Sequence, residues 1–292
     1  MNRIGEKMIH GLFFINGALV IAILGGIFLL LATASLPAFR EISLGEFFLT
    51  ARWDPTSFVK AGYGIGAMIV STFMLTLGAM VIAVPLGVGT AAYLSDIASP
   101  KVREIVKPVV EILAGIPSVV IGFLGIVLLG PVIARMFNLP NGLNAVNGSI
   151  LLSLMALPTI VSISEDALKS VPKSYYEASL ALGATKWQTI VRVKIPAAVS
   201  GIIASCMLGM GRAIGETMTV LMATGCAPAI PLSYLDPVRT MTATIAIELG
   251  EVPYHTTHYY ALFAVGLVLF VITFIINMIS DMVLHKYEKV RR

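Results

Sequence analysis

The chain has 292 residues, 57% of them hydrophobic and 12% charged, and its mean hydropathy is +0.91. A soluble domain needs about 25% charged residues to solvate its surface, so this composition excludes a water-soluble globule and reads as an all-α integral membrane protein. The net charge of +4 comes from basic residues dispersed at the ends of apolar runs, a pattern unlike a nucleic-acid interface. Cys206 and Cys226 are read as small buried side chains, with neither the number nor the spacing of a disulfide framework or metal site.

Six stretches reach the roughly 20 apolar residues that a spanning helix requires. The first covers 11–36, behind Arg3 and Lys7. Ala32-Thr33-Ala34 resembles a cleavage site, but this run of 26 residues exceeds the h-region of about 7–15 residues in a signal peptide. It is therefore read as a retained span, completing an N-terminal unit of 1–64 with its outer loop. The second stretch, 65–94, is longer than a bilayer requires and contains Pro85, which implies tilt, a bend or an extension beyond the membrane. The third, 110–134, is interrupted by Gly115-Ile116-Pro117; such a break at depth either lines a cavity or kinks the helix. The fourth is 145–163, the fifth 197–224 and the sixth 259–284, followed by a basic tail at 285–292.

Charge sets the expected orientation. Of the twenty Lys and Arg, fourteen fall in the N-terminal tail, 95–109, 164–196 and the C-terminal tail, against five in the alternate loops. This bias predicts both termini and the 164–196 segment on the cytoplasmic side. No phosphate-cradling G-x-x-x-x-G-K-[ST] loop, H-E-x-x-H or hydrolase serine motif occurs, so the chain is read as a non-enzyme that binds no cofactor itself. Any pumping energy comes from a partner or from an ion gradient.

Residues 164–196, SEDALKSVPKSYYEASLALGATKWQTIVRVKIP, are too polar to span and too patterned for a solvated linker. Ser174 and Glu177 have capping-box spacing, Gly183 interrupts the helical pattern, and Pro196 leads into the fifth stretch. Two readings fit: an amphipathic connector on the membrane surface, or a protruding helix–turn–helix that docks on a cytosolic partner.

The fifth stretch contains GMGRAIGETMTVLMATG, 209–225. A charge at the bilayer centre costs at least ~2.5–3.5 kcal/mol and usually marks a pathway. Arg212 lies about 24 Å beyond Pro196 on a continuous helix. Glu216 at i+4 shares its face and can neutralise it, with Thr217 beside it. One reading is a buried ion pair that fixes packing, although such pairs are poor stabilisers. The other is an anion relay, in which the guanidinium fork suits phosphate oxygens and Glu216 can take a proton from hydrogen phosphate, which sulfate cannot give. His255 and His258 lack a further ligand group, and Trp53 and Trp187 are read as interface or docking aromatics.

Glu177-Ala178-Ser179, Gly183 and Val193-Lys194-Ile195-Pro196 together resemble the EAA loop of ABC importer permeases. Three positions depart conservatively: Ser179, Val193 and Ile195. The resemblance implies a type I importer permease fold over 65–284, with Glu177, Ala178, Ser179, Gly183 and Pro196 docking on an ATP-binding subunit that uses ATP and Mg. With GRAIGETM and EILAGIPSVVIGFLG (111–125), the chain is similar to the phosphate-specific permeases of the Pst system, more to the PstC-like subunit than to the PstA-like one. That implies translocation of phosphate by Arg212, Glu216 and Thr217 across the inner membrane. The implied partners are a PstA-like permease, two PstB-like ATP-binding subunits, a PstS-like phosphate-binding protein and membrane lipid. Gly115 and Pro117 would border the path. Three rivals remain: a permease for another oxyanion, an ion-coupled anion transporter, and a membrane enzyme, which would need more intramembrane acids than Glu216.

Overall fold

Long apolar runs without backbone partners in lipid must close their own hydrogen bonds, and helices do so within one segment. In the computed structural model, which describes residues 3–57 and 59–289 and the side chains of 9–57 and 59–282, the runs fold accordingly. Helix α1 covers Arg3–Ser35 and α2 Gly66–Asp96, passing through Pro85 without interruption. Helix α3, Pro100–Gly115, is capped by Ser99 and is followed by α4, Ser118–Phe137, and α5, Ala145–Lys169. Then come α6, Lys173–Ala181, α7, Lys186–Ala197, α8, Val199–Gly215, and α9, Met218–Ala223. Helix α10 is Met241–Glu248 and α11 is Thr257–Lys289.

Among the described residues five helices are long and apolar enough to cross a membrane, and the α7–α8 pair, bent by 72°, makes six if counted as one. Three boundaries move, the first at the fifth span, whose helix stops at Gly215 rather than running to 224. The fourth span runs on to Lys169, so the first turns of the 164–196 segment belong to α5. The third span starts at Ser118, and the residues before Gly115 form the separate amphipathic α3. Of the basic C-terminal tail, 290–292 lie outside the described residues, as do the side chains of Arg3, Lys7 and 285–292.

The centre is α2 against α5, with α8 across both. Met80, Ala83, Ala156 and Ile160 are buried there. Lipid offers no hydrophobic drive between helices, so small residues that allow close approach do this work. A side chain at Gly209 of α8 would come within 2.8 Å of Ile160. Among the described residues, helix α1 packs chiefly along α11 and is exposed over most of its length. At one end, the short helices Ala38–Glu41 and Leu44–Leu49 and a hairpin of β1, Trp53–Asp54, with β2, Gly62–Tyr63, pack on α10 and α11.

Trp53 corrects the sequence reading. It is 4% exposed, buried inside this cap of short elements rather than presented as an interface anchor, and its indole N–H donates to both Glu248 oxygens at 2.9 and 3.1 Å. Arg239 and His258 reach the same carboxylate at 2.8 and 2.7 Å. His255 turns away to the Tyr260 hydroxyl, 3.0 Å distant.

At the other end, Glu165 of α5 is 1% exposed and faces Arg103 at 3.8 Å, Lys107 at 3.7 Å and Lys169. A buried carboxylate survives only when paired; here the cations come chiefly from α3, which is thereby fastened along α5.

Candidate functional site

Two helix breaks meet beside α5. At the first, Ile116 and Pro117 are extended (ψ 127° and 136°) between α3 and α4. Proline lacks an N–H and pushes the residue before it away from helix. Gly115 stands in open space, so packing does not require it. At the second, α8 ends at Gly215, Glu216 is extended (φ −69°, ψ 134°), and α9 begins at Met218. The Thr219 hydroxyl donates to the Ser118 carbonyl at 3.1 Å and contacts Met155 Sδ at 3.1 Å. Met155 lies near the middle of α5, so both breaks fall at the central depth of the bundle.

Backbone freed at such breaks needs partners. The Thr242 hydroxyl donates to the Glu216 carbonyl at 2.8 Å, and Glu216 Oε1 accepts the Thr219 N–H at 3.3 Å. Thr217 Oγ1 stays local, 3.4 Å from the Gly215 carbonyl. In α4, Asn147 supports a π-helical turn by donating to the carbonyls of Gly125 and Gly142 at 2.9 and 3.0 Å.

The expected Arg212–Glu216 pair does not form. Spacing of i to i+4 puts two side chains on one face only if the helix continues, and it stops between them. The Glu216 carboxylate caps α9 instead. Arg212 is exposed on α8 and makes no ion pair among the described residues. It lies on a stripe with Leu208 and Gly215, about 20 Å along the helix from Val199.

The 164–196 segment is a helix–turn–helix. Gly183 has φ +84° with nothing within 4 Å of a built side chain, so conformation and not space demands glycine. The capping box is not at Ser174 and Glu177, because α6 already starts at Lys173. It lies at Thr185 and Gln188, whose side chains reciprocate at 3.2 and 2.8 Å. Ser179 Oγ, 2.9 Å from Thr189 Oγ1, ties the two helices together. Glu177, Ala178, Gly183 and Pro196 are exposed, as are Leu182 at 89% and Trp187 at 65%.

Residues 83–289 match the model of the family described as "binding-protein-dependent transport system inner membrane component". The chain belongs to this family of importer permeases. It is 41% identical to the probable ABC transporter permease protein YqgH of Bacillus subtilis, over 79% of this chain and 74% of that protein. It is 35% identical to the phosphate transport system permease protein PstC of Mesorhizobium japonicum, over 92% and 87%. In fold it is similar to a bacterial ABC transporter involved in import of the acidic polysaccharide alginate, with a TM-score of 0.65 and 15% identity over 98% of this chain and 99% of that one. The permease is thus a multi-pass ABC importer subunit, a class that works with ATP-hydrolysing subunits and a binding protein.

Sequence reasoning missed Thr242, the reach of Thr219 to Ser118, and the carboxylates Glu165 and Asp96. For the two carboxylates a signal existed, since both are acids at the ends of apolar runs.

Proposed function

We propose that this permease carries inorganic phosphate into the cytoplasm, with Arg212 as the mid-depth contact for the anion. The observation that carries the reading is an exposed arginine, without an ion pair among the described residues, one turn from a broken helix. A guanidinium without a carboxylate partner is open to a phosphate fork, and the Glu216–Thr217 break supplies polar backbone next to it. The similarity to PstC proteins supports phosphate over other oxyanions. On this reading both termini are cytoplasmic, and 65–284 is the transport unit. A PstA-like permease completes the path, and a PstS-like protein delivers phosphate outside. Two PstB-like subunits, using ATP and Mg, dock on Glu177, Ala178, Ser179 and Gly183, with Pro196 at the exit of the docking segment and Gly115 and Pro117 bordering the path.

Competition identifies the substrate. Labelled-phosphate uptake by the assembled complex should be suppressed by unlabelled phosphate and not by equal sulfate or molybdate. Equal suppression by sulfate would assign the permease to another oxyanion.

A further inference from the structure

Helices α7 and α8 meet at an elbow of 72° at Ala198. On one arm, α6 and α7 form the docking segment; on the other, α8 carries Arg212. Helix α7 joins the docking segment directly to α8, so what holds the elbow bears on how a movement of that segment reaches Arg212.

Lys194, four residues before the elbow, is ion-paired with Asp96, and the two side chains are only 10% and 9% exposed. Its ammonium also stands 5.9 Å from the centroid of the Tyr176 ring in α6, within cation–π range. Lys194 closes a π-helical turn, Ile190–Lys194, a distortion that often accompanies function. Its partner is the last residue of α2. A negative charge there opposes the helix dipole, so Asp96 does not serve the helix that carries it.

The end of α2 is itself anchored. Arg103 of α3 donates to the carbonyls of Leu94 and Ser95, and Glu165 binds Arg103 and Lys107 to α5. The elbow is thus tied to the anchored end of α2 by an ion pair, set beside the apolar contacts of Ile190, Ala198 and Ile202 with Ala91 and Ala92. Replacing a buried ion pair by apolar residues is often neutral or stabilising, so stability alone does not account for this one. One carboxylate oxygen, Asp96 Oδ2, is buried without a hydrogen-bond partner. It offers the ammonium a second acceptor as the elbow turns, so the bond can persist while its geometry changes.

We infer that the Lys194–Asp96 pair is the fulcrum that converts displacement of the docking segment into rotation of α8. In this role Lys194 and Asp96 are positioning residues, acting through the helices they join. The inference rests on the proposed docking of ATP-hydrolysing subunits on 164–196.

The test is phosphate transported per ATP hydrolysed, measured on the full complex with its partner subunits in proteoliposomes. Lys194→Met and Asp96→Asn should assemble and keep hydrolysing ATP while the ratio falls about tenfold, the size of an ordinary coupling between sites. The exchange of Lys194→Asp with Asp96→Lys should recover most of the ratio. Unchanged ratios in the single variants would overturn the fulcrum, as would proportional loss of hydrolysis and transport, or an assembled exchange variant that recovers nothing. The double variant Lys194→Met with Asp96→Leu leaves no buried charge and should show the same lowered ratio, so it decides should a single variant not assemble. Uptake by the wild-type complex without ATP hydrolysis would refute the docking reading itself.

Discussion

The hydroxyl of Thr219 donates to the carbonyl of Ser118 across 3.1 Å, and this bond stitches together two helix breaks that lie far apart in sequence. Ser118 is the first residue of α4, so the bond ties the start of that helix to the start of α9. The two discontinuous helices are therefore one structural unit, with Met155 of α5 as its floor.

Thr219→Val keeps the shape and removes the donor. A typical intramolecular hydrogen bond contributes about 0.5–1.5 kcal/mol, so thermal unfolding of the purified complex in detergent should shift downward by a few degrees. Thr219→Ser, which retains the hydroxyl, should shift much less. Equal shifts would mean that methyl packing, not the hydrogen bond, holds the breaks together.

Gly183→Ala forces a side chain into φ +84°, a left-handed conformation costing roughly 1–2 kcal/mol outside glycine. The bundle is remote from this turn, so unfolding should change little while co-purification of the ATP-hydrolysing subunit weakens. Gly183→Asn should be milder, because asparagine tolerates the left-handed region better. Undiminished co-purification of the alanine variant would show that the turn is not part of the docking surface.

The cap around Trp53 should respond to acid through Glu248. Burial acts to raise its pKa, but hydrogen bonds from His258 and Trp53 and the charges of Arg239 and His258 outweigh burial and hold it below the ordinary 4.5. A lowered folded-state value contributes stability above pH 4.5, and that contribution is lost as pH falls through the folded-state value. Glu248→Gln should therefore lower the unfolding temperature at neutral pH, and the gap from wild type should close only in acid below that range. A gap unchanged by acid would remove the carboxylate charge from the account.

Much of this was legible in the sequence because lipid imposes long apolar runs and the turn at Gly183 demands its own residue type. The six stretches and the helix–turn–helix follow from those two constraints. Arg212 and Glu216 show where legibility ends. Their spacing pairs them only on an unbroken helix, and no proline marks the break at Glu216. Part of what satisfies it is Thr242, a distant residue whose hydroxyl takes up the freed carbonyl. Trp53 failed likewise: an aromatic near a span end reads as an interface anchor, and only the fold brings Glu248 to its indole. Glu165 was not singled out, because its cations come chiefly from another helix that only the fold brings beside it.

Labelled-phosphate uptake by wild type and Arg212→Gln, at matched membrane levels with the partner subunits supplied, in cells lacking their own high-affinity phosphate uptake, tests the central claim most directly. The account predicts that wild type imports phosphate, while Arg212→Gln assembles with its partners and does not. Equal import by both would make Arg212 a packing residue and contradict the proposed path.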